Sequence, residues 1–160
     1  SYGHRNPQGM VAANNKLYTS EHGANIDDEV NIIEKGRNFG WPNAEGPCNG
    51  VELNFCTLNN VREPIFSSGS STLAYSGMDY YNSTRIPQWT NSLLLVTLKD
   101  QSLQQLKLSS DGSSVVSSKT YLKNSYGRLR DVCVSPDGRV YVCTSNAAGF
   151  DLLIEIQKPE

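Results

Sequence analysis

Strand-sized apolar runs recur in this chain in a fixed rhythm, and that rhythm limits the available folds more than any single residue does. Three times a short strand leads through a turn or loop to a second strand, and a polar connection then leads to a third. The first unit reads GMVA (9–12), the turn AANN, LYTSE (17–21) and EVNIIE (29–34). The second reads GMDYY (77–81), SLLLVTL (92–98), LQQLKL (103–108), the turn SSDG and a fourth strand VVSSKTYL (115–122). The third reads RDVCV (130–134), the turn SPDG, RVYVC (139–143) and LLIEI (152–156). Almost nothing sustains a 3.6-residue period, so helices should be rare. Repeated antiparallel four-stranded units of ~40 to 50 residues are the sequence form of propeller blades, which protect sheet edges by radial repetition. The rhythm predicts an all-β chain of about three blades, a partial β-propeller domain spanning 1–160. The stretch 41–70, with WPNAEGPCNG and SSGSS, breaks the rhythm and reads as a long functional loop plus the outer strand of the first blade. Three blades do not close a ring, because propellers use at least about four. The exposed end faces then call for a missing propeller half, a homo-oligomer or another partner. The alternative is an open three-sheet stack or a compressed sandwich.

Composition removes several function classes. The 160 residues carry 14 Lys+Arg against 16 Asp+Glu, a net charge of −2, with no basic cluster to neutralise a phosphate backbone, so nucleic acid is not an expected partner. The longest apolar run, LLLVTL (93–98), falls far short of the ~18 residues a membrane span needs. The four cysteines, Cys48, Cys56, Cys133 and Cys143, show no CxxC spacing, and with two histidines a zinc site is not expected. Cys48 and Cys56 lie in the polar stretch GPCNGVELNFC, where they either close a short disulfide loop in an oxidising compartment or remain thiols. Cys133 and Cys143 flank SPDG. A four-residue loop there sets Val134 opposite Arg139 and points Cys143 away from Cys133's face, giving two buried free thiols. The opening SYGHRNPQG has no signal-peptide pattern and reads as a start inside a longer protein. Asn82-Ser83-Thr84 fits the glycosylation acceptor pattern of a eukaryotic secretory route.

Three clusters could carry chemistry. Arg5 and Asn6 precede an innermost strand, where propeller loops open onto the central channel; the plainer role for Arg5 is to bind loop carbonyls. Gly127-Arg128-Leu129-Arg130-Asp131 sets two guanidinia at i and i+2, which on a strand share one side and form a cationic fork for a carboxylate or phosphate. An ion pair with Asp131 is the plainer reading. Lys99, at the end of SLLLVTLK, is placed to join those arginines or to stay solvated. The loop Ser20-Glu21-His22-Gly23-Ala24-Asn25, followed by Asp27-Asp28-Glu29, offers carbonyls and carboxylates as hard ligands for Ca²⁺, without EF-hand spacing. No nucleophile or orienting carboxylate is evident for His22 as a general base, and no GxSxG, P-loop, HExxH or GxGxxG occurs.

GHRNPQG (3–9), TSEHGANIDDEVNIIEKGRNFGWP (19–42), the strand end at 94–99 and GRLRDVCVSPDG (127–138) together resemble the soluble glucose/sorbosone (aldose sugar) dehydrogenases that depend on pyrroloquinoline quinone, PQQ. The resemblance implies about half of a six-bladed propeller, its C-terminal half, from a periplasmic or secreted enzyme that oxidises a sugar at its anomeric carbon. It implies PQQ and Ca²⁺ as cofactors, with Arg5, Asn6, His22, Thr72, Lys99, Arg128 and Arg130 as cofactor contacts. It also implies the carbonyls of Gly23 and Ala24 as ligands of the PQQ-bound Ca²⁺, and Glu29 with the Phe39 carbonyl as part of a second calcium site. Neither His4 nor His22 matches the family's general-base His, so no catalytic residue is expected in this chain and the chain alone should be inactive. Ala24 replaces the usual Pro, Ser70 stands where some members carry a Trp, and Tyr75 replaces a nearby Pro, which reshapes the sugar side. Two alternatives share the scaffold: a non-catalytic propeller binding module of the hedgehog-interacting type, and a sugar- or polymer-binding domain. Retention of Arg5, Lys99, Arg128 and Arg130 favours the dehydrogenase.

Overall fold

In the computed structural model, which describes residues 1–147 and 149–157, three antiparallel sheets follow one another along the chain. The first holds β1 (Pro7–Ala13), β2 (Lys16–Glu21), β3 (Glu29–Ile32) and β4 (Phe66–Ser67). The second holds β5 (Tyr75–Tyr81), β6 (Ser92–Thr97), β7 (Leu103–Leu108) and β8 (Val115–Tyr121). The third holds β9 (Leu129–Val134), β10 (Val140–Thr144) and β11 (Leu153–Ile156), one strand fewer than a complete blade among the described residues. Within each sheet the strands lie in chain order. The first strands β1, β5 and β9 sit side by side, so the sheets radiate from a common inner edge.

The seams between sheets are the core. β6 is buried on both faces, which is why it reads as the near-continuous run SLLLVT rather than an alternating strand. Its Leu93 and Leu95 pack with Tyr18, Val30 and Met78 towards the first sheet. Its Leu94 and Val96 pack with Leu129, Val132, Val140 and Val142 towards the third. Near the inner edge the backbones approach closely, and glycine permits it. A Cβ on Gly9 would stand 2.7 Å from the Ser76 carbonyl oxygen and the Met78 amide nitrogen, and one on Gly77 would stand 1.8 Å from Asp131 Oδ1. Hydroxyls stitch the same seams: Ser20 Oγ donates to the Ser76 carbonyl at 2.8 Å, and Ser76 Oγ lies 3.0 Å from the carbonyls of both Val96 and Leu129.

Every innermost strand carries the same bulge. Pro7 to Met10, Tyr75 to Met78 and Leu129 to Val132 each set three steps against two on the partner strand, from Glu21 to Thr19, Thr97 to Leu95 and Thr144 to Val142. The region 41–70 contains a 3₁₀ turn at Gly50–Glu52, the short helix α1 (Leu53–Leu58) and β4. A Cys48–Cys56 disulfide ties α1 back to the loop before it.

The expected placement of the other two cysteines is corrected. Val134 lies opposite Val140 and Cys133 opposite Tyr141, because the turn spans five residues rather than four. Ser135 and Arg139 close it, the Ser135 N–H donating to the Arg139 carbonyl at 2.9 Å. The one-residue change puts Cys133 and Cys143 on the same face. Both are free thiols, but Cys133 is exposed and Cys143 half-buried, since Val132, Val140 and Val142 take the face towards the second sheet.

Candidate functional site

Gly9 lies against Ser76 and Met78, and its counterpart Gly77 against Asp131, so the innermost strands all begin at one end of the structure. At that end each second strand finishes beside the start of the first. The His22 N–H donates to the Asn6 carbonyl at 3.0 Å, the Lys99 N–H to the Leu73 carbonyl at 3.1 Å and the Ser145 N–H to the Arg128 carbonyl at 2.8 Å. This repetition brings Asn6 with His22, Lys99 and Arg128 to the same end of their sheets; Arg5 and Thr72 contact His22 and Lys99 there, and Arg130 follows two residues after Arg128.

Arg5 is exposed, donates through Nη1 to the His22 carbonyl at 2.8 Å, and lies 5.3 Å over the Trp41 ring. Asn6 accepts from Gln8 Nε2 at 2.6 Å. Lys99 Nζ donates to Oγ1 of buried Thr72 at 3.2 Å, so these two sequence-predicted residues are in contact. Arg128 and Arg130 are both exposed, and neither guanidinium pairs with Asp131 or another acid among the described residues. Arg130 sits inside the bulge between Leu129 and Val132, where two-residue alternation is interrupted. Strand periodicity therefore does not fix the fork.

His22 Nδ1 contacts the Gly23 carbonyl at 2.6 Å and lies 3.4 Å from Asp28 Oδ1. Gly23 is buried, and a Cβ there would sit 1.8 Å from the Ile26 carbonyl oxygen, which fixes the residue type. The Ala24 carbonyl accepts no hydrogen bond among the described residues. A cavity of about 20 Å³ lies between Arg5, Glu21, His22, Gly23, Asp27, Glu29 and Phe39. Glu29 accepts from the Gly46 N–H at 2.7 Å and from Asn31 Nδ2 at 2.9 Å. Burial pushes its carboxyl above the usual range, repulsion from Glu21 and Asp27 adds to this, and the bonds from Asn31 and Gly46 oppose it. Asn31 also donates to Glu21 at 3.1 Å, while its own Oδ1 is buried without a partner. Phe39 is buried, its ring stacked on His4 at 4.5 Å, and His4 is held by Glu21 at 2.6 Å and Ser1 at 2.9 Å. No group of three or more His, Cys, Asp or Glu side chains is arranged to hold a metal among the described residues.

Sequence reasoning missed Asp28 as an organiser. Its fully buried carboxylate accepts the N–H groups of Gly23 at 2.8 Å, Leu73 at 2.6 Å and Tyr75 at 3.2 Å, joining the His22 loop to the segment that carries Thr72. Nothing in the DDE triplet separates Asp28 from its neighbours, because its partners lie far along the chain. Tyr75, one of the departures from the family pattern, has a buried hydroxyl without a partner. Burial, reinforced by Asp28 and Asp100, holds that phenol protonated well above its ordinary range.

Three blade-like sheets meeting along their innermost strands define a propeller segment. A profile of the glucose/sorbosone dehydrogenase family matches residues 1–154, and the chain belongs to that family. It is 38% identical over 156 residues to the aldose sugar dehydrogenase YliI of Escherichia coli, and 30% identical over 202 to quinoprotein glucose dehydrogenase B of Acinetobacter calcoaceticus. Those alignments take in 93% and 92% of this chain but 41% and 42% of the relatives, so the chain spans about two fifths of their length. The apo structure of soluble aldose sugar dehydrogenase from E. coli superposes with a TM-score of 0.82 at 35% identity, covering 98% of this chain and 46% of that one. The PQQ-bound aldose sugar dehydrogenase of Streptomyces coelicolor superposes at 0.75 with 30% identity, covering 96% and 43%. The expected architecture, antiparallel blades amounting to about half of a six-bladed propeller, is what these matches and the three sheets show.

Proposed function

We propose that this chain is the cofactor-anchoring part of a quinone-dependent sugar dehydrogenase that uses PQQ and Ca²⁺ to oxidise an aldose at its anomeric carbon. The observation that carries the reading is the gathering of Arg5, Lys99, Arg128 and Arg130 on one rim with no acid partner among the described residues. PQQ bears three carboxylates, and a set of cations not already neutralised is what such a ligand requires.

In this reading Lys99, Arg128 and Arg130 bind carboxylates, Thr72 fixes the Lys99 ammonium, and Arg5 with Asn6 meets the quinone side. His22 lies against the cofactor, oriented by the Gly23 carbonyl and Asp28. The carbonyls of Gly23 and Ala24 would ligate a hard cation, which suits the Ala24 oxygen, since it accepts no hydrogen bond among the described residues. Glu29 and the Phe39 carbonyl would hold a second Ca²⁺. The small acid-lined cavity and the raised Glu29 carboxyl support that assignment. When bound, PQQ supplies a two-electron acceptor for the sugar's hydride, and Ca²⁺ supplies Lewis acidity towards it. The family resemblance assigns the general base to a His that neither His4 nor His22 matches, so this reading places it outside residues 1–160. The Cys48–Cys56 disulfide supports an oxidising, periplasmic or secreted setting.

Calorimetric titration of PQQ, with Ca²⁺ present, into the polypeptide carrying the complete propeller tests the assignment. Lys99→Ala, Arg128→Ala and Arg130→Ala should each weaken binding by roughly 10- to 100-fold, the worth of one charge-assisted hydrogen bond. Unchanged affinity in all three variants would refute it.

A further inference from the structure

Arg5 stands beside four carboxylates, and its guanidinium pairs with none of them. Glu21, Asp27, Glu29 and Glu45 line the same small cavity as Arg5 and Trp41, and Glu21 accepts the Arg5 backbone N–H at 3.3 Å. Yet the Arg5 side chain forms no ion pair among the described residues. A long, exposed side chain left to itself would swing towards such acids and be neutralised. Two contacts hold it elsewhere. Nη1 donates to the His22 carbonyl at 2.8 Å, and the guanidinium carbon lies 5.3 Å from the centre of the Trp41 ring. A carbonyl and an aromatic face attract a cation without cancelling its charge. The half-buried Trp41 is itself held by backbone. Its N–H donates to the Gly3 carbonyl at 2.9 Å, and the Phe39 N–H donates to the Tyr2 carbonyl at 2.9 Å, so the segment leading to Arg5 runs along the one leading to Trp41. Gly3 makes the approach possible, since a Cβ there would stand 2.9 Å from the Gly40 amide nitrogen. Beyond Trp41, the N–H groups of Asn43 and Ala44 return to the Gly40 carbonyl at 2.9 and 3.1 Å, closing a turn around the indole.

We infer that Trp41 is a positioning residue for Arg5: its indole face holds the guanidinium off the neighbouring carboxylates and keeps it oriented and unneutralised for an anionic ligand. The inference rests on the reading of this rim as a PQQ site, and in it Trp41 acts through Arg5 alone. The contribution is one of preorganisation, because the rotamer order that a bound anion would otherwise impose on Arg5 is already present. The stack also grows stronger when a ligand covers the guanidinium, since a cation over an aromatic face gains as water leaves it.

A double-mutant cycle tests it, read by calorimetric titration of PQQ, with Ca²⁺ present, into the complete polypeptide. Arg5→Ala should weaken binding by roughly 10- to 100-fold, and Trp41→Leu by roughly 5- to 20-fold. Trp41→Tyr, which keeps an aromatic face, should recover most of that loss. In the Arg5→Ala background, Trp41→Leu should change the affinity by less than about 2-fold, since the group it orients is gone. A general loosening of the rim would instead weaken binding by the same factor in both backgrounds, and that result would overturn the inference. Unchanged affinity in Trp41→Leu, or a Trp41→Tyr variant as weak as Trp41→Leu, would overturn it as well. Absence of PQQ binding by the unsubstituted protein would overturn the cofactor reading and this inference with it, whereas the other three results count against the role of Trp41 alone.

Discussion

At the scale of single residues, Asp28 fixes more of the rim's geometry than any cation does. Replacing it with Ala would strand the amide donors of Gly23 and Tyr75, both buried, and the half-buried one of Leu73, and should cost about 3 to 5 kcal/mol in urea denaturation. Asp28→Asn should cost less but remain destabilising, since one oxygen gives way to an NH₂ group facing N–H donors. A loss below about 1 kcal/mol for the Ala variant would contradict this role. The cations of the rim were legible in the sequence because Arg and Lys at strand starts and ends announce themselves by position. Asp28 was not, because its significance comes from Leu73 and Tyr75, which are brought to it by the packing of the first two sheets. The Lys99 to Thr72 contact belongs to the same class: the family resemblance implied both residues as cofactor contacts, and only the fold shows that they touch.

At the scale of elements, repeated devices explain why the blades take the same shape. The glycine at the bulge of β5 lets two backbones meet, so Gly77→Ala forces a Cβ within 2.6 Å of the Asp131 Cα as well as against its side chain. Backbone cannot yield as a flexible side chain can, and the variant should lose about 1 to 3 kcal/mol in thermal or urea denaturation, an unchanged midpoint contradicting the close approach. The turns Ser109 to Gly112 and Ser135 to Gly138 were legible as SSDG and SPDG and share one construction. In each, the Ser hydroxyl lies 2.6 Å from the Asp carboxylate and the Gly N–H donates to the Ser carbonyl at 2.9 Å. The Ser hydroxyls are the main cause holding Asp111 and Asp137 below the ordinary carboxylate range, joined by Ser113 for Asp111 and Arg139 for Asp137. A depressed folded pKa gives stability that is present above the unfolded value, about 3.9, and is lost as pH falls through the folded one. The Asp111→Asn, Asp137→Asn double variant should therefore show a shallower fall in melting temperature on acidification below about pH 4. An identical acid slope would show that the turns contribute nothing. What the turn pattern could not reveal was the loop length at SPDG: a fifth residue, closed by Ser135 and Arg139, shifted the register and the faces of Cys133 and Cys143.

At the scale of the whole molecule, the three-unit rhythm carried the architecture, because blades repeat and each repeat writes its own strands and turns. The doubly buried β6 marks the middle blade by composition alone, LLLV standing where β8 reads VVSSKTY with an exposed face. The third sheet was legible as three strands, RDVCV, RVYVC and LLIEI, which are β9, β10 and β11. The outer flanks remain apolar in places, with Met10 67% exposed on the first sheet and Leu153 78% exposed on the third. On our proposal the remaining blades of the complete propeller cover these flanks and complete the rim around the cofactor. The most direct test is calorimetric titration of PQQ into that complete polypeptide, first with Ca²⁺ present and then with the metal chelated. Tight binding that disappears on chelation is the predicted result; absence of binding in both conditions would contradict the assignment of this rim as a quinone cofactor site.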